Sequence, residues 1–106
     1  MPTTVSYAVD NLTFEWDEDK ATAVRKKHRV SFEEAASVFL DGNGLLIPDP
    51  DHSEWEERFI LLGFSSQANM LVVSHCLRYS DTIIRLISAR KATKKEAMTY
   101  HERWLR

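Results

Sequence analysis

Of 106 residues, one is a cysteine (Cys76), three are glycines and three are prolines. A lone thiol excludes an intramolecular disulfide framework and any zinc site built from several cysteines, and it fits a reducing compartment. So little glycine and proline excludes collagen-like and low-complexity chains. Apolar runs such as residues 59–64 are far too short to span a bilayer. The first ten residues hold neither a basic segment nor an apolar core, so no secretory signal is expected. The sequence also lacks G-x-x-x-x-G-K-[ST], G-x-G-x-x-G, G-x-S-x-G and H-E-x-x-H, which removes the motif support for nucleotide-loop, dinucleotide, serine-hydrolase and zinc-protease readings. What is present, 43% apolar and 28% charged residues, describes a soluble cytoplasmic protein of one domain.

The formal net charge of −2 conceals a division. Up to Glu57 the chain holds five Lys and Arg against thirteen Asp and Glu, a balance of −8; after it, nine basic residues face three acidic ones, a balance of +6. Such asymmetry suggests that one part faces a polyanion. Mutual neutralisation within the fold explains it equally well on charge alone.

Local patterns divide the chain into a helical half and a strand half. Residues 1–11 show no clear period and read as a loose arm. Leu12, Phe14 and Trp16 alternate with polar residues, as in a short strand. Asp17 then caps a helix over 18–28, with Glu18 and Asp19 in its first turn. Ser31 and Glu34 have capping-box spacing, and Phe32, Ala35, Ala36 and Phe39 fall on one face of a second helix reaching residue 40. Residues 41–44 end it. A brief strand at 45–47 stops at Pro48. Strands at 56–64, 69–78 and 82–90, joined by short turns, form an antiparallel meander. Thr93 and Glu96 open a last helix. The order β-α-α-β-β-β-β-α predicts an α+β domain with an antiparallel sheet of four to five strands.

Polar residues interrupt the apolar rows of these strands at Arg58, His75 and Arg85. Alternation places Ile83, Arg85 and Ile87 on one face, and Ile84, Leu86, Ser88 and Arg90 on the other. A charge at a core position is costly unless paired or solvated. Each of the three is therefore either an ion-paired or hydrogen-bonded edge residue, or part of a site. Metal-free cleavage of RNA gives such a set a use. Arginine holds phosphate oxygens and stays charged, and histidine moves protons near neutral pH. The candidate catalytic residues are Arg58, His75, Arg85 and Arg90. Lys27, Lys91, Lys94 and Lys95 are candidate RNA-backbone contacts, with solvated helix faces as the ordinary alternative. Neither a metal nor a cofactor is called for. Other clusters have plainer explanations. Asp49, Asp51, His52 and Glu54 read as a polar loop before a metal site, and Lys27 and His28 complement the end of a helix dipole. Cys76 reads as a packed thiol. Trp16 and Trp104 read as core, and Trp55 as exposed.

A series of blocks in fixed order resembles one known family. Phe14-Glu15-Trp16-Asp17, Lys27-His28 and Val30-Ser31-Phe32-Glu33-Glu34-Ala35 look like the opening of the BrnT family of bacterial toxins. Asp49-Pro50-Asp51-His52-Ser53, Glu56-Glu57-Arg58-Phe59 and residues 85–92 are similar to its later blocks. The resemblance covers about residues 14–103, leaving 1–13 as an N-terminal arm. It implies a RelE-like ribonuclease fold, metal-independent RNA cleavage, translation arrest, and neutralisation by a BrnA-type antitoxin. DNA would be contacted only through that antitoxin, and no membrane is involved. Arg58, Arg85 and Arg90 inherit from these blocks the expectation of phosphate contact, whereas His75 rests on its chemistry. Arg29 departs from the family pattern, which usually has glycine after Lys-His. A non-catalytic module that only binds an antitoxin or nucleic acid is the alternative function.

Overall fold

A computed structural model describes residues 3–49 and 56–103. Asp51, His52, Glu54, Trp55 and Trp104 lie outside them, as does most of the loop considered for a metal. Along the chain come β1 (Thr4–Val9), β2 (Leu12–Asp17), α1 (Glu18–His28), α2 (Phe32–Ser37), a 3₁₀ turn (Val38–Leu40), β3 (Leu45–Pro48), β4 (Arg58–Phe64), β5 (Met70–Arg78), β6 (Ile83–Lys91) and α3 (Lys94–Glu102). All six strands join one sheet in the order β1-β2-β6-β5-β4-β3.

Two expectations about the sheet are corrected. It has six strands, because residues 4–9 form β1 where a loose arm was expected. Val5, Tyr7 and Val9 alternate inward along it and pack on the core. The sheet is also mixed: β2 runs parallel to β6, pairing Phe14 with Ile84 and Glu15 with Arg85. Short turns fix antiparallel pairing in the meander β4-β5-β6. No turn links β2 to β6, so their relative direction is free of that constraint.

Helix ends follow the local chemistry. The Asp17 carboxylate accepts from the Lys20 amide, and the Ser31 hydroxyl accepts from the Glu34 amide. Thr93 and Glu96 complete a reciprocal capping box at α3. The expected box at Ser31 is only half made. Glu34 turns away to accept hydrogen bonds from Ser65 Oγ (2.6 Å) and Asn69 Nδ2 (2.9 Å), tying α2 to the β4-β5 turn. Arg29 caps α1 at φ 60°, the left-handed conformation that glycine adopts without strain.

Each side of the sheet has its own packing layer. On one side Phe14, Trp16, Val30, Phe32, Ala35, Val73, Leu86 and neighbouring residues form the main core with α1 and α2. On the other, α3 covers only part, where Tyr100 packs over Leu62 and Val72. Asp41 holds this end together. Its carboxylate accepts from the Phe64 and Asn43 amides (both 2.9 Å) and the Tyr100 hydroxyl (2.8 Å). Burial pushes the Asp41 pKa up, but these bonds outweigh it and hold the group below its ordinary value.

Candidate functional site

The half of the sheet that α3 leaves uncovered is where the predicted residues are found. Arg58 of β4 pairs with Cys76 of β5, and Cys76 pairs with Arg85 of β6. Directly paired residues share a face, so the two arginines flank Cys76 about 10 Å apart at Cα. Arg78, two residues beyond Cys76, shares this face. Arg78 is not among the residues the sequence pattern singles out; its step-of-two relation to Cys76 is the signal that points to it.

An irregularity in β6 shapes the row. Ser74 pairs with Ser88 but His75 pairs with Leu86, so Ile87 is an extra residue, a β-bulge. The alternation of β6 is reset across it. Leu86 and Ala89 both lie in the main core although three residues apart. Arg85 and Arg90 consequently share a face, where strict alternation had placed them on opposite ones.

Acidic neighbours distinguish these arginines. Glu56 Oε2 lies 3.1 Å from Arg78 and its Oε1 3.6 Å from Arg58 Nε, beyond hydrogen-bond range. That Arg58 nitrogen is buried and donates to nothing. Arg85 Nη1 meets Glu15 Oε1 at 3.3 Å, with 22% of the Arg85 side chain and 10% of the Glu15 side chain exposed. Three guanidinium groups thus face two carboxylates through single contacts of 3.1, 3.3 and 3.6 Å. Arg90 is different. It sits at the α3 end of the face and holds Glu96 with two bonds of 2.8 Å. The Arg90 bond, opposed by burial and aided by the Thr93 amide, lowers the Glu96 pKa to about 2. Lys91, Lys94 and Lys95 are exposed near this end.

His75 does not join the arginines. It points to the opposite face, 3% exposed, with its ring 4.8 Å from that of Phe39. There it lines a cleft of about 290 Å³ with Phe59, Leu46, Leu77 and Asp41. Burial pushes its pKa down, partly offset by the Nδ1 hydrogen bond to the Val73 carbonyl, so the ring is neutral near pH 7. Cys76 is fully buried under the arginine side chains, and burial raises its pKa above the ordinary thiol value, as fits a packed thiol. Lys27 is exposed on α1, beside β6.

A family model described as "Ribonuclease toxin, BrnT, of type II toxin-antitoxin system" matches residues 16–96. The chain belongs to the BrnT family. Its arginine face therefore sits in a toxin family defined by ribonuclease activity, and membership implies an antitoxin partner. The matched span runs from Trp16 at the end of β2 to Glu96 in α3, and so includes Arg58, Arg78, Arg85 and Arg90. A comparison with curated proteins finds no match. Among the described residues, no helix of this BrnT member is long and apolar enough to cross a membrane.

Proposed function

We propose that this BrnT-family protein is an endoribonuclease that needs no metal, that it arrests translation by cleaving RNA in the cytoplasm, and that a BrnA-type antitoxin neutralises it. The observation that carries this reading is the cross-strand row of Arg58, Cys76 and Arg85, with Arg78 on the same face. A phosphodiester set between Arg58 and Arg85 gains two planar, permanently charged donors for its non-bridging oxygens. Ion pairs as exposed as those of Glu56 contribute about 0–1 kcal/mol, so phosphate displaces Glu56 from Arg58 at little cost, while Arg85, which meets Glu15 through Nη1 alone, keeps other N–H groups for phosphate. The charge stabilisation a metal ion supplies elsewhere comes here from guanidinium groups.

Cleavage also needs a proton acceptor. Glu15 and Glu56 are two carboxylates in contact with Arg58, Arg78 and Arg85, and Glu56, with 34% of its side chain exposed, is the more open to substrate. In this scheme Glu56 takes the proton of the 2′-hydroxyl as the 2′-oxygen bonds to phosphorus. The bond from phosphorus to the 5′-oxygen breaks, and that oxygen takes a proton from water. The products are a 2′,3′-cyclic phosphate and a 5′-hydroxyl.

The test is cleavage of a defined RNA by purified protein in EDTA, with Arg58→Ala, Arg85→Ala and Glu56→Gln alongside. The reading expects cleavage by the wild type and its loss in all three variants. RNA that is bound but left whole by the folded wild type overturns it in favour of a binding module.

A further inference from the structure

Beside the arginine face lies a second cleft, of about 290 Å³, between α1 and β6. Ala23, Val24 and Ile87 form apolar walls, and Lys20, Lys27 and His28 line it from α1. The strand β2 ends at Asp17 after only two paired positions with β6, so beyond Arg85 this side of β6 is flanked by α1. Ser88, which also lines the cleft, pairs with Ser74 and therefore faces the same side as Cys76 and Arg85. It stands three residues from Arg85, within about 10 Å along the strand.

We infer that this cleft receives a nucleobase of an RNA strand whose phosphate rests on Arg58 and Arg85. The inference builds on the proposed nuclease reading and adds a base-binding subsite to it. Its warrant is a combination of shape, chemistry and charge. The cleft has apolar walls against which a flat ring can lie, and an imidazole, His28, of the kind that stacks on unpaired bases. Ser88 supplies a hydroxyl for a base edge. Among the described residues neither Lys20 nor Lys27 pairs with an acid, so the lining is open to an anionic strand. The bulge at Ile87 puts Ser88, at the rim of this cleft on the edge of β6, on the side of the sheet that carries the phosphate row.

The probes are the four nucleoside 3′-monophosphates and inorganic phosphate, titrated calorimetrically in EDTA against wild type and Ala23→Trp. Ala23 is exposed, so the indole fills the cleft from its solvent side; Ala23→Leu replaces it should the larger ring lower the melting temperature. At least one nucleotide is expected to bind about tenfold tighter than phosphate, the scale of one stacked base. The filled variant is expected to hold nucleotide and phosphate equally. Nucleotides that bind no tighter than phosphate, as when the cleft takes an apolar side chain of a protein partner, overturn the inference. So does an advantage that survives filling. The two readings fail separately. A wild type that binds nucleotides in an Ala23-sensitive way yet leaves RNA whole loses the nuclease and keeps the subsite. Cleavage that needs Arg85 without any nucleotide preference does the reverse.

Discussion

Arginine 85 offers the sharpest perturbation, because its removal has two effects that a second change separates. In Arg85→Ala the Glu15 carboxylate, with 10% of its side chain exposed, loses its counter-charge. Breaking a fully buried pair costs about 3–5 kcal/mol, while an exposed pair is worth about 0–1 kcal/mol. With Arg85 itself 22% exposed, the loss falls between these limits, at about 2 kcal/mol. For a domain of this size that lowers Tm by roughly 10 °C. Changing Glu15→Gln in the same chain removes the stranded charge and is expected to restore about 1 kcal/mol. Urea unfolding followed by circular dichroism measures the stability, and an RNA cleavage assay in EDTA, at a temperature where all three proteins are folded, measures activity. The expected result is partial rescue of stability with no rescue of cleavage. Cleavage regained in the double variant would show that Arg85 matters only as Glu15's partner. A single variant as stable as wild type would refute the argument about the pair.

Three further outcomes follow from the same physics. Glu96→Gln breaks the bidentate pair with Arg90. Because the folded pKa of Glu96 is about 2 against an ordinary 4.5, its contribution is complete above about pH 4.5 and is lost as pH falls through about 2. With 32% of that side chain exposed, the loss at pH 7 is discounted to about 1–2 kcal/mol, and urea midpoints measured from pH 7 to pH 2 should converge with wild type at the acid end. His75 is held neutral in the fold, so the unfolded chain binds a proton below about pH 6.5 that the native state resists, and stability falls as pH drops from there. His75→Gln should flatten that slope between pH 7 and pH 5 while RNA cleavage persists; cleavage lost in the folded variant would return His75 to the mechanism. At Gly63 an added methyl would meet Asp41 Oδ2 and Val38 Cγ1 at 3.0 Å, so Gly63→Ala should lower stability by about 1–3 kcal/mol in thermal melts, with an unchanged melting temperature counting against the packing described.

What could be read from the sequence was local. Asp17, Ser31 and Thr93 mark the helix starts because capping is decided by one side chain and the next few amides. The meander of β4, β5 and β6 is legible because short turns leave one way to pair. Long-range choices were hidden. Nothing near Glu15 announces that β2 lies parallel to β6, and nothing near Glu34 announces that its carboxylate serves the β4-β5 turn 31 residues away. The same limit applies to the candidate site. Arg58 and Arg85 stood out as charges in apolar rows, but whether they share a face depended on the cross-strand register, and whether Arg90 joins Arg85 depended on a bulge that alternation cannot foresee. His75 stood out for the same reason and proved to point the other way. The segment Thr4–Val9 carries an alternating pattern too short to mark it as a strand rather than a loose arm.

The irregularity at Ile87 lets β6 carry one residue more than its partner without turning either surface over. Were Ile87 held in a straight ladder with β5, a choice would be forced: either Leu86 stays beneath the helices and Ala89 turns to the other face, or Ala89 stays and Arg85 swings inward as Leu86 leaves the core. Deleting Ile87 would instead leave Arg85, Leu86, Ser88, Ala89 and Arg90 in plain alternation on the faces they already hold. The bulge is thus a fold in the strand that absorbs an odd residue and keeps interior and basic surface in phase.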